Sequence, residues 1–346
     1  MQALVKYSLG PGNMELRDMP DPGPAPGQVK IAVHGCGICG SDLHVFHQTI
    51  GIPMAPPVIT GHEFSGRIVE LGEGVQSFNI GDRVTVEPSA VICGKCRYCR
   101  QEDYNLCPDR RVIGYRWDGG FAPYAVVPTR TLHKLPANVS FEAGALAEPL
   151  ACCVHGVIER TQISAGDFVA ITGPGSIGLL TLMVAKAEGG IVCVLGTKDD
   201  EHRLEKAREL GAEYTINVDE QDVLQEIGKL TGGYGADVVL EASGAPPAGR
   251  LALDIVRKQG KLTQMGLYPG PIEIDFSKIA YKEISVTGFL AQKRSAWKRA
   301  IKLMEYGLID PGKIISHCLP ITDWQDAFGM FERKESLKIL LQPLHS

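Results

Sequence analysis

Asp167-Phe168-Val169-Ala170-Ile171-Thr172-Gly173-Pro174-Gly175-Ser176-Ile177-Gly178 is the stretch that decides the fold. Its first six residues read as a buried strand and run directly into G-x-G-x-x-G. That glycine pattern alone is weak. Here an apolar helix pattern follows over Leu179–Ala187, then Gly189-Gly190 and a second strand pattern over Ile191–Leu195, which is the setting of a dinucleotide-binding βαβ unit. Gly173, Gly175 and Gly178 let the backbone approach a pyrophosphate, and the helix opening at Ser176 and Ile177 offers its N-terminus to the charge.

Outward from this unit the alternation continues through helix Arg203–Leu210, strand Tyr214–Ile216, helix Gln221–Leu230, strands Ala236–Glu241 and Lys261–Gln264, and Ile284–Phe289 as a candidate last strand. Such βαβ repetition predicts an α/β fold with a doubly wound parallel sheet. After the second strand an NAD site would present Asp or Glu to the adenine ribose, whereas this chain reads Gly196-Thr197-Lys198. A small residue, a hydroxyl and a cation suit a 2′-phosphate, and Arg203 could add a second charge, so NADP is favoured over NAD. Asp199 and Asp200 lie close enough to serve a ribose instead, and a solvated helix start is the plain alternative for Lys198 and Arg203.

On the N-terminal side, to about Tyr124, short β-like runs (Ala3–Tyr7, Gln28–His34, Phe64–Leu71, Arg83–Val86) are broken by turn chemistry such as Pro20-Asp21-Pro22-Gly23-Pro24. They predict an all-β, partly closed barrel, with Phe78 and Ile80 of the Val75–Asp82 connection reaching the core. Helix-like Ala296–Tyr306 and Trp324–Glu332 are expected to return to this first domain.

Length and charge set the limits. At 346 residues two cores are expected. A formal charge of −5 with mixed signs gives no basic stripe, which argues against nucleic acid and anionic membrane as partners. No charged-then-apolar leader opens the chain and no apolar run approaches a bilayer span, so a cytoplasmic protein is expected. The ten cysteines are not laid out as a small stapled secreted fold.

Two groups of residues carry metal chemistry. Cys36-Gly37-Ile38-Cys39-Gly40-Ser41-Asp42-Leu43-His44 is followed about twenty residues on by Gly61-His62-Glu63. A thiolate, an imidazole and carboxylates from separate segments form the mixed set that zinc accepts at a site left open for substrate. Either segment alone would be read as packing; the surrounding glycines, which can aim neighbouring side chains at one point, strengthen the case. Cys36, pointing away from Cys39 in an extended segment, is assigned to packing. Ser41 and His44 suit proton transfer. Cys93, Cys96, Cys99 and Cys107, spaced C-x2-C-x2-C-x7-C, can fill a tetrahedron with sulfur and predict a structural zinc; a disulfide cluster or an iron–sulfur site are the rivals. Glu148, ahead of Pro149 at a helix start, is either an exposed N-terminal glutamate or an oxygen ligand or base beside the zinc.

Taken together, Cys39-Gly40-Ser41-Asp42 with His44, Gly61-His62-Glu63, the four clustered cysteines and Gly173-x-Gly175-x-x-Gly178 resemble the zinc-dependent medium-chain dehydrogenase/reductase superfamily over essentially the whole chain. Gly61-His62-Glu63 and Ala147-Glu148-Pro149-Leu150 look most like its polyol (sorbitol) and threonine dehydrogenase branch. The resemblance implies a GroES-like catalytic domain over 1–155 and 290–346, with the structural zinc lobe at about 90–110, a Rossmann domain over 156–289, and a homo-oligomer, dimer or tetramer. It implies Cys39, His62 and Glu63 as catalytic zinc ligands, Glu148 as a nearby ligand or water-holder, and Asp42 as the carboxylate orienting His62. Ser41 would bond the substrate oxygen and His44 end a relay through the nicotinamide ribose. Leu267 and Lys338 join the cofactor-binding residues, Lys338 near the phosphates. Relatives carry an arginine in the segment that here reads Phe289-Leu290-Ala291-Gln292-Lys293, and its absence argues against both sorbitol and threonine as the particular substrate.

The function these readings predict is reversible hydride transfer between a secondary hydroxyl, on a polyol or sugar-derived alcohol, and a nicotinamide cofactor, with zinc acidifying the alcohol. A threonine-type or simple secondary-alcohol dehydrogenase is the alternative within that chemistry. A zinc-independent reductase would lack the Cys/His/Glu set, and a non-catalytic nucleotide-binding protein would not need Ser41 and His44.

Overall fold

The computed structural model describes residues 1–49 and 51–344. The chain divides into two units, Met1–Ala151 with Gln292–Ser346, and Cys152–Ala291.

The second unit holds six parallel strands in the order Tyr214–Asn217, Ile191–Gly196, Phe168–Thr172, Ala236–Glu241, Val256–Gln264, Ser285–Gly288. The strand entering the glycine run is therefore central, and the chain works outward from it first to one side and then to the other. That reversal is where an open α/β sheet leaves a crevice at its strand ends. Phe168–Thr172 is buried along its whole length, as a strand covered on both faces must be. Helix Ser176–Ala187 buries eight residues from Gly178 to Ala185. Helix Pro246–Ile255 has no counterpart in the sequence pattern: its Pro-Pro start reads as a break, yet proline is well suited to a first helical turn, where its missing N–H costs nothing.

In the first unit one sheet runs Leu132–Lys134, Arg83–Val86, Glu63–Leu71, Gln28–Gly37, Lys338–Gln342, Ile315–Pro320, with Tyr124–Pro128 also paired to Gln28–Gly37. A second sheet joins Met14–Asp18, Gln2–Lys6 and Val58–Ile59. The register matters for chemistry. Gly37 stands opposite Glu63 on one side and Leu340 on the other, so the last strand delivers its residues to the site. Helix Arg294–Glu305 buries Trp297 completely, and Trp324 and Phe328 of helix Trp324–Glu332 join the core of the main sheet. Phe78 packs against that core, but Ile80 is 67% exposed and does not reach it. No helix among the described residues is long and apolar enough to cross a membrane.

Candidate metal and cofactor sites

Cys39 lies two residues beyond strand Gln28–Gly37 and is the N-cap of helix Gly40–His47. Asp42, in the first turn, accepts the Cys39 backbone N–H through Oδ2 at 2.9 Å and is wholly buried. This fixes the thiol-bearing residue from behind. His62 and Glu63 arrive from another segment through Gly61, whose φ of +88° favours glycine; a Cβ there would strike Phe121 and the Cys36 sulfur. Cys36 itself lies in the core. One ligand atom each from Cys39, His62 and Glu63 falls within 4.8 Å of the others. His62 Nδ1 faces Asp42 Oδ1 at 3.6 Å and the Tyr115 hydroxyl at 3.5 Å. Burial alone would lower the pKa of this imidazole, but Tyr115, Asp42 and Cys39 raise it well above its ordinary value.

Glu148, on helix Ala147–Val154, is buried and is not within that three-residue set. Its Oε1 accepts from Gln292 Nε2 at 2.7 Å, and burial pushes its pKa up to about 7. It is not an exposed helix-start residue. Lys338, expected among the cofactor-binding residues, is buried in the first unit, donating to the Ile38 carbonyl at 2.8 Å and paired with Glu63. Burial would lower the pKa of its ammonium, and Glu63, Cys39 and Asp42 reverse this and raise it. Gly37 leaves room for this pair, since a Cβ there would collide with Glu63 and press on Lys338.

Ser41 and His44 lie three apart on one helix, where side chains become neighbours. Ser41 Oγ accepts from the Tyr115 hydroxyl at 2.7 Å, and His44 Nδ1 meets Thr49 Oγ1 at 2.7 Å. Burial and the nearby His47 lower the pKa of His44. Tyr115, Thr49 and Gln292 were not singled out as site residues; Gly114 and Gly119-Gly120 around Tyr115 were a usable signal of the same kind as the glycines around Cys39.

The sulfurs of Cys93, Cys96, Cys99 and Cys107 also lie within 4.8 Å of one another, and all four are free thiols. Backbone N–H groups point at sulfur within the loop: Cys96 to Cys93 at 3.3 Å, Cys99 to Cys96 at 3.4 Å, Cys93 to Cys107 at 3.4 Å. Amides of Lys95 and Cys96 lower the Cys93 pKa to about 7. Burial, by contrast, pushes the Cys99 thiol up to about 12. Four sulfurs gathered at this spacing fit a closed zinc site; sulfur, nitrogen and one buried carboxylate fit an open one.

In the second unit the three glycines have separate duties. At Gly173, φ is +86° and a Cβ would strike Ser243. At Gly178 it would hit the Gly173 carbonyl, so only glycine lets the helix pack this closely on the strand. At Gly175 a Cβ meets nothing within 4 Å, and no side chain caps the helix there; a helix N-terminus so approached by glycine fits a phosphate. Gly196 is buried at its strand end, and a Cβ would press on Pro174, Leu204 and Asp200. Thr197 Oγ1 donates to Asp200 at 2.7 Å, and Arg203 pairs with Asp200 at 3.3 Å, so Arg203 is not a solvated residue. Lys198 and Asp199 are exposed, and Leu267 is 68% exposed beyond strand Val256–Gln264.

Fold and donor sets together define a zinc-binding dehydrogenase with a nicotinamide cofactor. Residues 25–137 match the family described as alcohol dehydrogenase GroES-like domain, and 176–306 match zinc-binding dehydrogenase. The chain is 46% identical to a sorbitol dehydrogenase of Halalkalibacterium halodurans, over 99% of this chain and 100% of that protein. It is 37% identical to a D-arabitol-phosphate dehydrogenase of Enterococcus avium, over 99% and 97%. The crystal structure of a zinc-binding dehydrogenase from Sinorhizobium meliloti bound to NADP superposes with a TM-score of 0.90 at 32% identity, covering 99% of each chain. The chain belongs to the zinc-dependent medium-chain dehydrogenase/reductase superfamily, in its polyol and threonine dehydrogenase-like branch, and is an alcohol or polyol oxidoreductase.

Proposed function

We propose that this enzyme oxidises a secondary hydroxyl of an uncharged polyol, with NADP preferred to NAD, and that Cys39, His62 and Glu63 hold the catalytic zinc. The observation that carries this is a half-buried thiol gathered with a buried imidazole and a buried carboxylate, their ligand atoms within 4.8 Å of one another and one ligand short of a tetrahedron. When bound, zinc acidifies an alcohol and the nicotinamide accepts its hydride.

The chain's own residues do the rest. Ser41 binds the substrate hydroxyl and receives its proton, His44 hands a proton on, and Asp42 holds the Cys39 backbone N–H and stands beside His62 Nδ1. Lys338 offsets the charge of Glu63, and Gln292 holds Glu148. Substrate charge follows from these pairings. Lys338 is already matched by Glu63, and Gln292 is a neutral donor, so a phosphate or carboxylate on the substrate finds no counter-ion from either.

Cys93, Cys96, Cys99 and Cys107 hold a second, structural zinc in this reading. The NADP preference rests on Gly196-Thr197-Lys198 and on Asp200 being engaged by Thr197 and Arg203. We further propose a cytoplasmic homo-oligomer; the Ser285–Gly288 edge strand, with Val286 exposed, supplies an unpaired sheet edge. The test is a panel of alcohols, neutral polyols, sugar phosphates and threonine, run with NAD and NADP in parallel. The reading expects neutral polyols to lead with NADP; a phosphorylated or amino-acid substrate leading the panel defeats it.

A further inference from the structure

Tyr115 has no task in the reaction as set out so far. Its hydroxyl donates to Ser41 Oγ at 2.7 Å, its ring centroid lies 5.3 Å from that of His62, and the side chain is only half-buried. It therefore lies at the wall of the site and not within the core. A hydroxyl owns one hydrogen and two lone pairs. With its hydrogen given to Ser41, the phenol oxygen still has acceptor capacity. Ser41 Oγ, accepting from Tyr115 and from the reacting hydroxyl, has both lone pairs occupied and keeps its own hydrogen for the next group in the relay.

Two protein oxygens one hydrogen-bond length apart thus stand at the place where the substrate oxygen is bound. The two oxygens of a vicinal diol in its gauche form are separated by about the same length. When the reacting hydroxyl donates to Ser41, its neighbour is placed to donate to the Tyr115 oxygen. We propose that Tyr115 is a specificity-determining residue that accepts a hydrogen bond from the hydroxyl adjacent to the reacting carbon, making the enzyme selective for vicinal diols over isolated secondary alcohols. The proposal rests on the role given to Ser41 above. An isolated alcohol leaves the phenol oxygen to water, so the difference is that of one hydrogen bond at a half-exposed site.

The test uses the zinc-loaded enzyme with 2,3-butanediol and 2-butanol, in wild type and Tyr115→Phe, with zinc content and cofactor binding measured on both proteins. Wild type is expected to favour the diol, and in Tyr115→Phe the diol-to-monoalcohol ratio of kcat/KM is expected to fall about tenfold, chiefly through KM for the diol. Equal losses on both substrates, or no loss, overturn the proposal, because Tyr115 would then act only on Ser41 or on folding. Should Tyr115→Phe fail to fold, the wild-type ratio decides: no preference for the diol overturns the proposal, and a preference lost on the 2-methoxy ether of the diol supports it. A wild-type enzyme with zinc and cofactor bound that oxidises neither substrate defeats the polyol reading itself, and this proposal falls with it.

Discussion

The first unit contains two clusters of side chains with the chemistry to hold a metal ion, built on opposite plans. The four-cysteine lobe is local: Cys93 to Cys107 occupy one loop, closed by the pairing of Ser89–Val91 with Arg111–Val112, and only Cys107 among the four is buried. Backbone amides within the loop already favour the Cys93 thiolate. The Cys39, His62, Glu63 cluster is assembled by sheet register from separate segments, and its supporting charges, Asp42, Glu148 and Lys338, are all buried. Burying a carboxylate or an ammonium without a partner costs several kcal/mol; Lys338 is matched by Glu63, Asp42 accepts the Cys39 amide, and Glu148 has the neutral Gln292 amide. The lesson is that a structural metal group can be written into a few consecutive residues, whereas an open site must be enforced from all sides.

The sharpest way to break this comparison is Cys39→Ser. Loss of the catalytic metal alone is expected to lower kcat/KM by about three orders of magnitude, some 4 kcal/mol of barrier, while metal analysis finds the lobe still loaded. Cys107→Ser should do the reverse, shedding the lobe metal and opening Cys93–Cys107 to proteolysis with the Cys39 cluster still metal-binding. Full zinc content and full activity in Cys39→Ser would overturn the assignment.

Next in size is Lys338→Met, which keeps the bulk of the side chain and strands Glu63 in the core. Metal-free protein is expected to lose about 3 kcal/mol, seen as a lower denaturation midpoint, and bound zinc should restore part of it by taking over the charge. An equal loss with and without metal would show that Lys338 serves packing alone.

How far these plans were legible in the sequence follows from the same contrast. The four cysteines, the Gly173–Gly178 loop with its flanking strands, and the Cys39 and Gly61-His62-Glu63 motifs announce themselves through spacing. Lys338 could not be placed by spacing, because it lies 275 positions from Glu63, a separation only strand pairing bridges. Gln292 lay in the segment noted for its lack of an arginine, but its bond to Glu148 across 144 positions was not visible. Arg203 reads as a surface cation until Asp200 is seen to engage it. Helix Pro246–Ile255 was hidden because its first residues have the composition of a turn.

Smaller in effect, and a test of the cost of the buried cluster, is Glu148→Gln. The carboxyl pKa rises from an ordinary 4.5 to about 7, so the folded metal-free protein binds more protons than the unfolded chain between those values. Stability of the metal-free enzyme should therefore fall as pH rises from 4.5 towards 7, by about 2–3 kcal/mol in all, since each unit is worth about 1.4 kcal/mol. Below 4.5 both states are protonated and the effect vanishes. In Glu148→Gln that slope should flatten, measured as denaturation midpoint against pH after metal removal, whereas cysteine substitutions in the exposed lobe should leave it in place. A slope unchanged by Glu148→Gln would mean that Gln292 and the charges around Glu148 already hold it ionised, and the burial cost would have to be sought at Glu63 instead.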